Sequence, residues 1–318
     1  MVALSIMIEG QDGLTWPRWK RLVSEVESLG FAGLFRSDHF TNPKLPDEAS
    51  LEMIVSLTYL ADHTQRIHFG PLVAPISFRN PPLLARQAAA LDDLSNGRMI
   101  LGVGAGWQER EHTLFGYELG DIPTRIARLE EGLEVITRLL HSNEPVTFEG
   151  KFFRLHEATL LPRPQRSGGP DILLGGNGVK RTLPLVAKYA NIWNAVFLSP
   201  DDFRERCTIL DSLLQQVGRK PGDVKRTMMD GLTFARDTQE LEHKLGQLRT
   251  QPEHANKSSQ ELLATLRSHN LIVGTPAMIV QQIKAYGEAG VEELMLQWFD
   301  TDDIDGLRAF AESVLPAL

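Results

Sequence analysis

The sequence predicts an α/β protein: one (β/α)8 barrel with two insertions, spanning residues 1–318 as a single domain. Three observations predict it. Short apolar runs bounded by turn residues recur along the chain, as expected of strands covered on both faces of a parallel sheet. Each run is followed by a stretch with helical spacing, and the strand-helix pair returns roughly every 30 residues. The main pattern contains eight such runs, the number that closes a barrel.

Residues 3–8 are the first run. Trp16, Trp19, Leu22, Val23, Val26 and Leu29 then repeat at helical spacing until Gly30 supplies a cap. The second strand, 33–36, leads into Ser37-Asp38-His39-Phe40 and a polar, proline-containing loop over 41–48. A helix over 51–62, a strand over 67–74 and a helix over 83–94 follow. Asn96-Gly97 stops that helix, since both residues reach the left-handed conformation that ends one. The fourth strand covers 98–103, and Gly102, Gly104 and Gly106 let its backbone approach a neighbour closely. Either a planar cofactor or a tight strand-to-loop turn accounts for these glycines. As a dinucleotide fingerprint they are one residue out of register. Beyond Trp107, the polar run QEREH before Leu114-Phe115 suggests an active-site loop turning into a short helix.

A long amphipathic helix over 126–140 precedes the first insertion, a hairpin over 145–155 turning at Glu149-Gly150. The fifth strand, 171–174, ends in Gly175-Gly176-Asn177-Gly178 and opens a helix over 179–189. Strand 192–196, helix 203–217 and strand 226–235 continue the alternation. Residues 238–269, rich in Gln, Glu and His, read as a helical insertion. A helix over 276–288 capped by Gly290, an eighth strand over 293–299 and a helix over 304–315 complete the count.

Composition narrows function. The 318 residues are 42% hydrophobic and 23% charged, ordinary for a large buried core. Lys and Arg total 33 against 41 for Asp and Glu, a net charge of -8 without a basic stripe, which disfavours nucleic acid and anionic membranes. No run approaches the ~20 apolar residues of a membrane span, and the first residues lack a signal-peptide pattern, so the expected compartment is the cytoplasm. Cys207 is the single cysteine and reads as core filler on a helix. The nine His are scattered without ligand spacing, so no metal site is expected.

In a (β/α)8 barrel the chemistry gathers at the carboxyl ends of the strands, which assembles one candidate site: Glu9, Asp38-His39, the loop from Leu72, the Gly102 loop, the Gly175 loop and Trp193-Asn194. His39 is the candidate proton donor or acceptor, with Asp38 beside it to orient it. Gly175 to Gly178 at a helix start can present backbone N–H groups to a phosphate, or can be a plain turn. Phe40, Phe78, Trp107 and Trp193 offer an aromatic lining for a planar ring, or core packing.

Taken together, Ser37-Asp38-His39-Phe40, Phe78-Arg79-Asn80-Pro81, Ser95-Asn96-Gly97-Arg98, Gly102 to Trp107 with Glu109-Arg110-Glu111-His112, Gly175-Gly176, and Gly274-Thr275-Pro276 through Ala289-Gly290-Val291 resemble the bacterial luciferase-like monooxygenase superfamily, and within it the deazaflavin (coenzyme F420)-dependent oxidoreductases. The resemblance implies a TIM barrel and hydride transfer between F420 and a small organic substrate. It implies cofactor contacts at Asp38, His39, Pro71, Leu72, Ala74, Gly104, Ala105, Gly106, Trp107, Gly175, Gly176, Asn177 and Gly178, with a substrate pocket at Glu9, Phe40, Phe78, Trp107, Trp193 and Asn194. It further implies a non-proline cis peptide at Pro71–Leu72 and a homodimer. Thr41-Asn42-Pro43 stands where the sugar-phosphate dehydrogenases of the group carry a Trp, and Trp107 where they carry an acid, which argues against sugar-phosphate oxidation. FMN is the alternative cofactor, in a monooxygenase fed by a separate flavin reductase; a third reading is a flavin-binding protein without turnover.

Overall fold

The computed structural model, which describes residues 2–251 and 254–318, begins with strand β1 (Ala3–Ile8) and helix α1 (Trp16–Ser28). Trp19, Leu22, Val23 and Val26 bury one face of α1, whereas Trp16, expected on that face, stays exposed at the first turn. Strand β2 (Gly33–Arg36) and helix α2 (Met53–His63) follow.

The third strand is broken into β3 (His68–Pro71) and β4 (Ala74–Pro75). Between them a cis peptide joins Leu72 to Val73, one residue later than the resemblance implied. The Leu72 N–H still donates to the Arg36 carbonyl at 2.8 Å, so sheet pairing persists through Leu72 and the chain bends only after it. Two glycines of the neighbouring strand, β5 (Ile100–Gly104), answer to this bend. A Cβ on Gly102 would collide with the Pro71 carbonyl oxygen, and one on Gly104 would stand 2.5 Å from Val73 Cγ2. Close approach by a neighbouring strand thus accounts for these two glycines without a ligand.

Helix α3 (Pro81–Leu94) starts at a proline in its first turn, with the Asn80 side chain accepting from the Leu83 N–H, and stops where Asn96 and Gly97 take φ of 58° and 82°. Strand β5 (Ile100–Gly104), the short helix α4 (Glu109–Phe115) and the long helix α5 (Ile122–His141) precede the hairpin of β6 (Val146–Glu149) and β7 (Arg154–Ala158), which runs three residues further than predicted: 158 against 155. Next come β8 (Asp171–Gly175), α6 (Thr182–Tyr189), β9 (Ile192–Val196), α7 (Pro200–Gln216) and β10 (Lys225–Phe234). Helix α6 begins at 182 rather than 179 because the Gly178 carbonyl gathers the N–H groups of Arg181, Thr182 and Leu183 into a preceding turn.

The second insertion is two helices, α8 (Thr238–Leu248) and α9 (Ser259–Ser268), the latter closed by a Ser258/Glu261 capping box. Strand β11 (Ile272–Gly274) follows; at three residues it is too short to show a period, and it pairs with the end of β10. Helix α10 (Pro276–Glu288), β12 (Glu293–Gln297) and α11 (Ile304–Val314) end the chain's regular structure.

The parallel sheet runs β3-β2-β1-β12-β10-β9-β8-β5-β4, with β11 added beside β10. Since β3 and β4 are halves of one strand, the path returns to its start, and a bridge between Phe69 and Met99 joins the two ends. The result is a TIM barrel of eight strand positions. Met7, Phe35, Leu72, Ile100, Leu173, Ile192 and Met295 fill its interior, while the larger core, including Trp19, Phe31, Phe203 and Phe310, lies between strands and helices. Buried Arg98 ties the third strand to the preceding helix by donating to the carbonyls of Ile67, Ala61 and Thr64 at 2.8, 2.9 and 2.8 Å. Among the described residues no helix is long and apolar enough to cross a membrane.

Candidate active site

The carboxyl end of β2 carries Asp38 and His39, and helix α4, which follows β5 on the other side of the broken third strand, packs against them. Gln108, Glu111 and His112 share the inward face of that turn at i, i+3 and i+4. All three are buried, although each is polar. Glu111 accepts from the Phe40 backbone N–H at 3.0 Å and stands 3.0 Å from His39 Nδ1. With Glu111 as acceptor, Nδ1 carries the proton. Gln108 Nε2, 3.3 Å from the same nitrogen, then donates instead to the Thr41 carbonyl at 2.9 Å. His39 Nε2 has no partner among the described residues and is the ring nitrogen left for a ligand. Burial by itself would lower the imidazole's affinity for a proton. The hydrogen bond and charge of Glu111, aided by Glu9 and Asp38, outweigh it and raise the His39 pKa above its ordinary value.

Asp38 does not orient His39. Its carboxylate is taken by a fork from Arg79, Nε to Oδ2 at 2.7 Å and Nη2 to Oδ1 at 2.5 Å. Burial pushes the Asp38 carboxyl upward against the pull of Arg79. Arg79, though partly buried itself, is held protonated by Asp38 and by Glu52 at 2.8 Å. The orienting carboxylate is Glu111, which sequence adjacency could not reveal; the signal available was the polar stripe at helical spacing.

Two cavities meet at His39. One, of about 370 Å³, is lined by Leu72, Val73 and Pro75 of the broken strand, by Gly104 to Trp107, by Gly175 and Gly176, and by Asn194, Val196 and Met229. The other, of about 480 Å³, holds Glu9, Gln11, Asp12, Ser37, Asn42 and Gln297 among its walls. Both share Leu72, His39, Trp107, Val196 and Met229. Trp107 stands over the junction edge-on to His39, with ring centres 5.4 Å apart, and is 60% exposed. A larger hollow of about 730 Å³ lies at the opposite end of the barrel around Lys225, Glu288 and Glu292, away from the strands' carboxyl ends.

The glycine loop is fastened to β9 at three points. The Gly176 N–H donates to the Asn194 carbonyl at 2.9 Å, Trp193 Nε1 donates to the Gly176 carbonyl at 2.9 Å, and the Asn177 amide brackets Val196 through its carbonyl at 2.7 Å and its N–H at 3.0 Å. Gly176 takes a φ of +124°, which a residue with a Cβ would adopt only under strain. The N–H groups of Asn177, Gly178, Val179 and Lys180 have no acceptor among the described residues. Four consecutive free amides just ahead of a helix make the chemical surface an anionic phosphate needs, so the residues fit a phosphate-bearing cofactor beside the first cavity.

Of the other expected positions, Leu72, Gly104, Ala105, Gly106, Trp107, Gly175, Gly176 and Asn194 line the first cavity and Glu9 the second. Pro71 and Ala74 do not; the bend turns Leu72, Val73 and Pro75 inward instead. Phe40 and Phe78 pack on each other at 4.5 Å and on Phe115 and Tyr117 under the α4 loop, behind the cavity wall. Trp193 points outward on its strand and stacks on Phe203 at 5.2 Å. Strand alternation decides the pair, putting Asn194 inside and Trp193 outside. Asn177 and Gly178 lie beyond the cavity, where their amides remain free. Among the described residues no group of three His, Cys, Asp or Glu side chains is placed to hold a metal. Cys207 is buried, its thiol pushed up to about 11 by burial.

Residues 5–293 match the family model described as "Luciferase-like monooxygenase". The chain is 29% identical over 315 residues to an F420-dependent glucose-6-phosphate dehydrogenase of Amycolatopsis mediterranei, covering 92% of this chain and 91% of that one. Two solved structures share the fold. An F420-dependent secondary alcohol dehydrogenase in complex with an F420-acetone adduct superposes with a TM-score of 0.82 at 19% identity, over 99% of this chain and 98% of that one. A monooxygenase from Streptomyces bottropensis does so with a TM-score of 0.78 at 23% identity, over 99% of each chain.

Proposed function

The chain belongs to the luciferase-like monooxygenase family, and from that premise we propose that it is an F420-dependent oxidoreductase acting on a small organic alcohol or the corresponding carbonyl compound. The carrying observation is His39. Its Nδ1 is fixed by buried Glu111 while Nε2 is left free where the two cavities meet. When bound, the deazaflavin would supply a two-electron hydride acceptor. Gly104 to Trp107, the bend at Leu72 and Val73, and Gly175 and Gly176 would hold its ring in the first cavity, with the amides of residues 177–180 on its phosphate.

The chain's own part is proton management and positioning. A carbinol whose carbon faces the first cavity would place its hydroxyl at His39 Nε2, which takes the proton as the C–H pair leaves as hydride and the C=O bond forms. Glu111 steadies the resulting imidazolium. In reverse the same nitrogen returns the proton. Leu72, 8% exposed, supplies an apolar wall at the junction, and the more exposed Trp107 stands across it. The reading includes a homodimer, with Val55 of α2 and Leu83 of α3, exposed on two helices that pack on each other, as its candidate contact residues.

Titrating apoprotein with F420 and with FMN, following quenching of cofactor fluorescence, tests the cofactor. Saturable F420 binding with no FMN binding is expected; tight FMN binding without F420 would replace the proposal by an oxygen-using flavin monooxygenase.

A further inference from the structure

The second cavity has a chemical bias that the hydride reaction does not use. Two carboxylates, Glu9 and Asp12, and the amide of Gln297 stand in its polar wall beside Gln11, Ser37, His39 and Asn42. Glu9 sits at its base, accepting from Gln297 Nε2 at 2.7 Å and from Gln11 Nε2 at 3.0 Å. Those bonds fix the Gln297 amide so that its Oε1 is the free end, without a partner among the described residues, on a side chain only 6% exposed. In the wall of the adjoining first cavity Asn194, 1% exposed, is similarly fixed, its Nδ2 donating to Thr227 Oγ1 at 2.9 Å while its Oδ1 has no described partner. Among the described residues neither cavity has a Lys or Arg in its wall. The carboxyl of Asp12 is driven up first by burial and then by the charge of Glu9, against the lowering effect of an Asn42 hydrogen bond and the charge of His39.

Resting on the oxidoreductase reading above, we infer that Glu9, Asp12 and Gln297 recognise the non-reacting end of the substrate, and that this end donates hydrogen bonds and carries no negative charge. Hydroxyl groups and a protonated amine share that chemistry. A phosphate or carboxylate would meet two acids and unpaired acceptors with no guanidinium or ammonium to receive it, so the chain discriminates against phosphorylated substrates of the kind named for its A. mediterranei relative.

A matched series separates the cases: 1,2-propanediol, 3-amino-1,2-propanediol and glycerol 3-phosphate present one vicinal diol with a neutral, cationic or anionic end. Calorimetric titration into F420-loaded protein, wild type and Glu9→Gln, gives the dissociation constants, and F420 affinity is measured separately for each. The expected order is amine tightest and phosphate weakest, the two differing by at least about tenfold, and Glu9→Gln should narrow that gap by about tenfold. Amine and diol binding alike, both ahead of the phosphate, would identify hydroxyl donors as the recognised feature and still support the inference. Phosphate binding as well as the others, or none of the three binding, overturns it. If F420 does not bind, the F420 reading fails; the same order measured on apoprotein then decides the inference alone. Gln297→Leu supplies a second perturbation, expected to weaken the diol and the amine without improving the phosphate.

Discussion

Replacing Glu111 with Gln isolates the one interaction on which the proton chemistry rests. The amide keeps the carboxylate's shape and can still accept from the Phe40 N–H, so the α4 turn should survive; what disappears is the charge 3.0 Å from His39 Nδ1. Both side chains are shielded, His39 17% and Glu111 1% exposed, so solvent screens the pair little. A hydrogen bond between an imidazolium and a buried carboxylate contributes about 1.5–3 kcal/mol, which is roughly one to two orders of magnitude in the basicity of the free Nε2. In the alcohol-oxidation direction, kcat should fall by about tenfold or more while F420 affinity holds. The acid limb of the pH profile should move to lower pH, because a less basic His39 stays neutral further down. Linkage gives a second readout with its own sign. The folded pKa of His39 lies above its unfolded value, so the pair's stabilisation is fully present below about 6.5 and fades as pH rises through the folded pKa. The melting-temperature gap between wild type and Glu111→Gln should therefore be widest in mild acid and close toward alkaline pH. An acid limb that stays put or moves up, together with a gap independent of pH, would refute the assignment of Glu111 as the residue that orients and charges His39.

Arg79→Met should cost about 3 kcal/mol or more in chemical denaturation, because it strands the buried Asp38 carboxylate, and Asp38→Asn should cost less. Gly102→Ala should destabilise by about 1–3 kcal/mol, since its Cβ runs into the Pro71 carbonyl, whereas Gly246→Ala, with open space in α8, should stabilise by about 0.5–1 kcal/mol; equal effects would contradict the packing at the broken strand. Asn177→Ala removes both side-chain bonds to Val196 and should weaken F420 binding about tenfold, read by fluorescence, with little change in melting temperature. Val55→Asp with Leu83→Asp should convert a dimer into a monomer by light scattering; a wild-type monomer would remove the dimer from the proposal.

The barrel could be read from the chain because its information is local. Each strand is a run of a few apolar residues buried on both faces, and helix ends carry their own stops, as at Asn96-Gly97 with φ of 58° and 82°. Where the local signal was thin, prediction slipped: β11 is only three residues long, and the insertion after β10 divides into two helices whose capping box, Ser258 with Glu261, is its clearest local mark. The cis bond illustrates a related limit. Whether the chain bends before or after Leu72 depends on a hydrogen bond to Arg36 in another strand, which no window of sequence contains.

Pairing across the rim was the harder part, for a physical reason. Asp38 and His39 are adjacent in sequence, but successive residues at a strand end face different surroundings, so adjacency separates their side chains more often than it joins them. Asp38 turns to Arg79, 41 positions on, and His39 to Glu111, 72 positions on. Each partner sits just after another strand: Arg79 beyond β4 and Glu111 beyond β5. A closed barrel makes such partners neighbours because the ends of adjacent strands share one rim, whatever chain lies between them. Two of the four aromatic residues offered as a lining for a planar ring, Phe40 and Phe78, instead pack on each other and on Phe115 and Tyr117 beside α4. Phe40 links that cluster to the proton site, since its ring packs on Phe115 of α4 and its backbone N–H donates to the same Glu111 carboxylate that faces His39, while neither Phe40 nor Phe78 lines the two cavities.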